Sequence, residues 1–514
     1  MARHTYPSLV AALAGAATVF GFAPFYWYPL PVITCALLIT LWRNAASARA
    51  AARLGFLFGL GCFSAGVSWV YVSMHDFGAM PAWLAAALTL LLCAYMALFP
   101  ALAGWLYRRL GAASLLATLA ALPALWTLTE WLRGWLFTGF PWLALGYSQV
   151  PASALAGYLP LAGVYGVTMA VILSAALLNV LWARAIAQCG QGWSRRLLSV
   201  LDRPALLALV ALWTGGYVLG QLNWTLPVGE PVSVALIQGN IAQDLKWRDD
   251  RVQSTLITYR DLVAASDAKL IVLPETALPL FLHNVPQNYF DELRAQARRN
   301  GGDILIGAPE RGDAHTYFNT VMSIGSAPQQ FYRKSHLVPF GEFVPLKLLF
   351  GWFLDVAQIP LADFSRGDEH QQPLAVAGQR VAVNICYEDA FGAEIARQLP
   401  QATLLVNVSN VAWFGHSIAP QQHLQISQAR AIETGRPMLR ATNTGMTAII
   451  DPRGTVLGVA PEFAPAVLRG EVQGYTGATP YVGWGDLPVL AGAVLMVGLA
   501  WWRRPRDAGP VAPI

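Results

Sequence analysis

Across its first 220 residues this chain carries no lysine and only three acids, Asp76, Glu130 and Asp202, and most of that stretch is long apolar runs. Seven such runs fall near 8–25, 27–42, 54–74, 80–107, 114–136, 159–182 and 204–220, with an eighth near 486–502. About 20 apolar residues in a helix cross about 30 Å of hydrocarbon, a length the second and eighth runs only approach. With 55% hydrophobic and 12% charged residues and a mean hydropathy of +0.45, the chain is too apolar for a water-soluble globule.

Arginines set the expected orientation. Arg43, Arg49 and Arg53 follow the second run, and Arg108 and Arg109 the fourth. Arg184, Arg195, Arg196 and Arg203 lie between the sixth and seventh, and Arg503, Arg504 and Arg506 follow the eighth. The alternate loops FAPFYWYP and HDFGAMP have no basic lysine or arginine. By the positive-inside rule both termini are expected in the cytoplasm and residues 221–484 on the far side. The net charge of +5 is then a topology signal and not a nucleic-acid footprint. The first run lacks a small-residue cleavage site and leads directly into the second, so it reads as a retained span. The expected division is a membrane domain of seven transmembrane helices at 1–220, a folded catalytic insert at 221–484, and an eighth transmembrane helix with a cytoplasmic tail at 485–514.

Within the insert the pattern changes. SVALIQGN, AKLIVLPET, DILIGAPE, YFNTVMSIG, QQFYRKSHL, RVAVNICYE and ATLLVNVSN are short β-rich runs ending in polar, Gly or Pro residues. Helical patterns at 248–266, 286–300, 389–399 and 420–435 lie between several of them. This alternation predicts a mixed sheet covered by helices, with chemistry at the strand ends. There is no CxxC, HExxH, Walker loop or GxGxxG, so no metal or cofactor is expected.

Cys386 is the only cysteine between residues 221 and 484. A solitary thiol in an exported domain is either packing or a nucleophile. It follows the run VAVNI at an expected strand-to-helix elbow, where a helix's positive end lowers a thiol pKa and frees backbone N–H groups for an oxyanion. Glu275 ends LIVLPE, where a buried carboxylate with a raised pKa could act as a base. Lys334 follows QQFYR, where an ammonium could hold an oxyanion. The remaining cysteines, Cys35, Cys62, Cys93 and Cys189, read as small-residue filling. His336, His416 and His423 read as loop or core hydrogen-bonders, and Glu130 with Arg133 as a helix-surface pair or a headgroup site.

LPET, YRKSHLVPFGE, NICYEDAF and NVSNVAWFG together resemble the nitrilase, or carbon–nitrogen hydrolase, superfamily. RGWLFTGFPWLALGYSQ and QGNIAQDLKW resemble the apolipoprotein N-acyltransferases of that superfamily, over essentially the whole chain. The resemblance implies a polytopic α-helical membrane domain plus an α/β nitrilase-like domain, an αββα sandwich. It implies Glu275 as general base, Lys334 as oxyanion clamp and Cys386 as nucleophile. Glu342, Tyr387 and Glu388 would support the oxyanion and orient these groups, and Trp247 would shape the pocket. The family's motif has an acid where this chain has Val411. The implied reaction transfers an acyl chain from a phospholipid, phosphatidylethanolamine as donor, to the N-terminal amine of a diacylglyceryl apolipoprotein through a Cys386 thioester. The setting implied is a bacterial inner membrane with a periplasmic catalytic domain, acting as a monomer without cofactor. The apolar run 348–354, with Phe350 and Trp352, reads as an arm dipping into the bilayer to bind substrate.

Two rivals stand beside this reading. A membrane-tethered amidase would use the same residues with water as acceptor, but needs only one or two spans. A transporter with a binding ectodomain predicts polar or broken helices near the mid-membrane, unlike these Leu-, Ala- and Val-rich spans.

Overall fold

A computed structural model describes residues 2–112, 114–187, 203–313, 316–343 and 363–504. Two compact units divide it. The first comprises 1–68, 86–222 and 484–514, and the second 69–85 and 223–483.

Helices make up the first unit. Ala82–Arg109, Ala154–Ile186 and Pro204–Gln221 are each long and apolar enough to cross a membrane. Ala48–Gly66 and Trp69–Phe77 reach that length only together, across a break. Tyr6–Gly21, Pro29–Arg43 and Leu487–Trp502 are shorter apolar helices. Leu487–Trp502 has 16 residues, which at about 1.5 Å per residue rises about 24 Å, short of the hydrocarbon thickness. The run expected at 114–136 is a five-residue π-turn, Ala117–Ala121, continued by the helix Leu122–Arg133. These apolar helices fit a membrane protein. Ala2–Thr18 and Ala48–Gly66 cross where glycine is required: a Cβ on Gly15 would stand 1.9 Å from the Phe58 carbonyl oxygen, and one on Gly61 2.1 Å from that of Ala12.

Glu130 and Arg133 are buried, 6% and 1% exposed, so they are not a surface pair. Glu130 accepts from the Leu145 N–H at 3.0 Å, Trp126 Nε1 at 3.1 Å and Thr168 Oγ1 at 2.7 Å. Arg133 donates to the carbonyls of Phe140 and Trp142. Both charges bind the loop that follows their helix, because a desolvated charge needs fixed dipoles in place of water.

The second unit contains, among the described residues, two six-stranded sheets. Their strands are β1 Leu226–Gln238, β2 Leu270–Val272, β3 Asp303–Arg311, β4 Tyr317–Gly325, β5 Phe331–Arg333 and β6 Leu374–Val376. The series continues with β7 Gln379–Ile385, β8 Leu404–Ser409, β9 Met438–Thr442, β10 Ala448–Ile450, β11 Val456–Val459 and β12 Ala466–Thr476. The sheet orders are β12-β1-β2-β3-β4-β5 and β11-β10-β9-β8-β7-β6. Read from β12 and from β6, the sheets share one pattern: an antiparallel pair, two parallel pairs, then two antiparallel pairs.

Alternation along each strand builds the layers. Val234 and Leu236 of β1 pack with Val381, Val383 and Ile385 of β7 between the sheets. Ala235 and Ile237 turn outward onto Leu256, Tyr259 and Val263 of the helix Asp249–Ala264 and Leu293 of Gln287–Arg299. On the far side, Ala382 and Leu405 pack on Leu424 and Ala431 of the helix Ala419–Thr434. Both faces of each central strand are apolar, so the strands read as continuous runs, and burial on this scale contributes about 25 cal/mol per Å². The αββα sandwich is the architecture expected. Gly435 ends Ala419–Thr434 at φ +62°, a left-handed cap. The helix expected at 389–399 is instead three short pieces, the 3-10 turns Cys386–Ala390 and Ala396–Gln398 flanking Gly392–Ile395, since Phe391 leaves helical geometry at φ −110°, ψ 83°.

The segment expected to finish the third span belongs to this second unit. Trp69 donates from Nε1 to Gln422 Oε1 at 3.1 Å, and its ring meets Phe414 edge-on at 4.7 Å.

Candidate active site

Glu275 lies three residues beyond β2, Cys386 directly after β7 and Asn410 directly after β8, each following a parallel strand, while Lys334 directly follows β5. Parallel strands expose their unpaired C-terminal ends together, the usual position for a site in such sheets.

Glu275 is buried, with both oxygens occupied. Its Oε1 accepts from Asn319 Nδ2 at 2.7 Å and lies 3.5 Å from Lys334 Nζ. Its Oε2 accepts from the Asn410 backbone N–H at 2.8 Å. Lys334, 1% exposed, pairs more closely with Glu342 Oε1, at 2.8 Å. Asn319 Nδ2 also donates to Glu342 Oε1 at 3.0 Å, so one amide bridges the two carboxylates. Glu342 Oε2 accepts from the Val338 N–H at 2.8 Å, and the Lys334 N–H donates to the Asn319 carbonyl. Three charged side chains are thus fixed around one asparagine.

Burial raises the Glu275 pKa, but Lys334, Asn319, Lys246 and the Asn410 N–H outweigh it and hold the group below the ordinary carboxylate range. The raised value expected of this buried acid is corrected by its two cationic neighbours. Lys334 is desolvated too, yet Glu342 and Glu275 raise it well above an ordinary lysine, so it stays an ammonium.

Cys386 keeps part of its surface accessible and sits at φ +54°, a strained conformation for a residue with a Cβ. Its thiol pKa is raised, first by burial and then by Glu275, against the opposing pull of Lys334. This corrects the lowering expected at the elbow: the turn it opens, Cys386–Ala390, has five residues and lacks the aligned dipoles of a long helix. The resting pair is therefore a thiol beside a carboxylate. Proton transfer has to accompany attack on a substrate.

Glu388 holds the elbow to the lysine's segment. It accepts from the N–H groups of Ile385 at 2.7 Å, Ser335 at 2.7 Å and His336 at 3.0 Å, and from the hydroxyls of Ser335 and Tyr332. Tyr387 is buried with its ring against His336 and Phe391. Behind the elbow the Cys386 carbonyl accepts from Asn407 Nδ2 at 3.1 Å and contacts His423 Nε2 at 3.2 Å. His423 in turn meets Asp389 Oδ1 at 2.7 Å, and Arg440 lies 3.4 Å from Asp389 Oδ2. His336 stacks on Phe391 and pairs with Glu394, and His416 lies against Phe463.

Val411 is buried, and the neighbouring backbone N–H of Asn410 makes the bond to Glu275, so that bond needs no acid at 411. Trp247 is half-buried in the turn after β1, with no hydrogen bond or ring contact among the described residues. Phe350 and Trp352 lie outside the described residues, as does the apolar run around them.

Lys246 is the side chain that sequence reasoning passed over. It is 2% exposed and donates to Thr276 Oγ1 at 2.6 Å and to the Glu275 carbonyl at 3.3 Å. Burial lowers its pKa to about 8, with Glu275 and Cys386 pulling upward. Its charged neighbours in sequence, Asp244, Arg248 and Asp249, give no sign of that burial.

Comparison with known proteins gives the same picture. A family model described as Apolipoprotein N-acyltransferase N-terminal domain matches residues 14–177, and one described as Carbon-nitrogen hydrolase matches residues 233–481. The apolipoprotein N-acyltransferase of Nitrosomonas europaea is 54% identical over 499 residues, covering 96% of this chain and 97% of the relative. The enzyme of the same name from Chromobacterium violaceum is 48% identical, covering 96% and 94%. That of Methylococcus capsulatus is 44% identical, covering 97% of each chain. The similarity therefore extends through the apolar helices as well as the sandwich.

Proposed function

This chain belongs to the apolipoprotein N-acyltransferase family, and we propose from that premise that it moves a fatty acyl chain from a phospholipid to a lipoprotein. It is an acyltransferase whose hydrolase-type domain works through a cysteine. The proposed donor is phosphatidylethanolamine, and the acceptor is the N-terminal amine of a diacylglyceryl-cysteine. The carrying observation is the fixed set of Glu275, Lys334 and Glu342, at 2.8 and 3.5 Å around one ammonium, within electrostatic reach of Cys386.

In the first half-reaction Glu275 takes the Sγ proton as sulfur attacks the donor's ester carbonyl. Lys334 holds the developing oxyanion, with the Tyr387 backbone N–H as second donor. Collapse breaks the C–O bond, Glu275 returns the proton to the departing lysophospholipid oxygen, and an acyl thioester remains on Cys386. In the second half the acceptor amine attacks that thioester and Glu275 takes its proton. The thiolate leaves and is reprotonated, and an amide is formed. An ester is exchanged for an amide through a thioester, so no ATP or acyl-CoA is consumed. Glu342 and Glu388 are assigned to holding Lys334 and the elbow, and Trp247, Phe350 and Trp352 to substrate contact. The proposed setting is the inner membrane, with the catalytic domain periplasmic, both termini cytoplasmic and the enzyme monomeric.

Intact-mass measurement after incubation with phosphatidylethanolamine tests this. One acyl mass should appear on Cys386 and be discharged by a diacylglyceryl lipopeptide. An unmodified wild-type protein, or an adduct that persists in C386A, overturns the assignment.

A further inference from the structure

Two carboxylates and one ammonium make a poor place to form an anion. Glu275 and Glu342 both face Lys334, so these three groups alone leave one net negative charge beside Cys386. A thiolate and then an oxyanion must develop in that field. Arg440, also within reach of the sulfur, has its charge answered by Asp389 at 3.4 Å.

Lys246 enters from the turn between β1 and the helix Asp249–Ala264. Both of its hydrogen bonds go to neutral oxygens, and it has no carboxylate within ion-pair distance among the described residues. Its charge is left to act at longer range, on Glu275 and on Cys386. With Lys246 protonated, the two carboxylates meet two ammoniums.

Its hydrogen bonds also act on shape. Thr276 sits at φ +44°, a conformation that a β-branched residue rarely adopts, and Lys246 binds its hydroxyl at 2.6 Å. Opposite it, a Cβ on Gly307 would stand 2.3 Å from the Pro274 carbonyl, so the loop is pressed against β3. The same turn supplies Gln243, whose Oε1 accepts from Asn410 Nδ2 at 2.7 Å, and the Asn410 N–H binds Glu275 Oε2. One turn thus braces Glu275 through its backbone and through its carboxylate.

We infer that Lys246 is a positioning residue, whose ammonium pins the Thr276 turn that aims Glu275 and supplies the second positive charge that lets an anion form at Cys386. This rests on Glu275 and Cys386 being base and nucleophile. The test uses the full-length, detergent-purified enzyme and the rate of Cys386 alkylation by iodoacetamide, read by intact mass from about pH 6 to about pH 9. Below about pH 8, where Lys246 carries its charge, K246M should alkylate about tenfold slower than wild type, a profile displaced upward by about one pH unit, with the gap closing above that pH, while K246R stays within about threefold below it. A K246M profile that overlies wild type overturns the inference, as does a K246R profile as slow as that of K246M. Should K246M not fold, K246Q replaces it under the same criteria, since it keeps a donor to Thr276 but no charge. Alkylation needs neither lipid nor lipopeptide, so a displaced K246M profile stands even where no acyl adduct forms.

Discussion

Lys334 and Glu342 are the closer pair in the site, at 2.8 Å, against 3.5 Å from the same ammonium to Glu275. Glu342 therefore draws part of the lysine's charge away from the base. Replacing it with Gln should let Lys334 bind Glu275 more tightly and lower the affinity of Glu275 for the thiol proton, a loss that outweighs the removal of one negative charge from beside Cys386. The expected outcome for E342Q is a fall in kcat of about 10²-fold, the scale of a general-base contribution, with KM little changed. Steady-state kinetics on micellar substrate check this, and a KM rise with unchanged kcat would assign Glu342 to binding.

The pH response follows from Glu275 being held below the ordinary carboxylate range by Lys334 and its hydrogen bonds. A depressed folded pKa gives stability that is present above the unfolded value, about 4.3, and lost as pH falls through the lower folded value. Acyl-adduct formation should therefore keep its rate down through the ordinary carboxylate range, with its acid limb lying below that range. Single-turnover adduct rates against pH check it. A wild-type midpoint near about pH 6 would mean a raised base.

How much of this was legible in sequence depended on how each residue's burial was announced. Glu275, Lys334 and Cys386 each follow an apolar or β-rich run, and a polar side chain ending such a run is conspicuous. Lys246 follows no strand, and a lysine among Asp244, Arg248 and Asp249 reads as solvated. Strand β9 contains the fully buried Arg440, and β12 contains Arg469 and Glu471, so charge hid their alternation. The direction of both titrations was missed for one reason. Sequence shows that a carboxylate and a thiol are buried, and the balance of charges facing them exists only in the folded site.

Glu388 offers a prediction about stability. Its carboxylate gathers donors from Ile385, Ser335, His336 and Tyr332, so truncation orphans several buried N–H and O–H groups at once. Each orphan costs about 1–3 kcal/mol. E388A should lose about 3 kcal/mol or more and be inactive even at temperatures where it remains folded, because the elbow is no longer tied to the segment carrying Lys334. Thermal melting and Cys386 alkylation of the folded fraction check both parts, and a melting temperature equal to wild type would overturn the first.

The strained elbow gives the last prediction, which isolates backbone from chemistry. Cys386 holds φ at +54°, where a Cβ is disfavoured and glycine is at ease. C386A and C386G both lack sulfur and should both be inactive, so they differ only in whether that strain remains. Relief of a left-handed Cβ is worth about 1–3 kcal/mol, and the greater chain entropy of glycine in the unfolded state returns about 0.5–1 kcal/mol. C386G should therefore be the more stable of the two by about 1 kcal/mol, read as the difference in their urea midpoints at equal slope. Equal midpoints, or a less stable glycine variant, would mean that the bonds from Asn407 and His423 to the Cys386 carbonyl do not hold the turn against its strain.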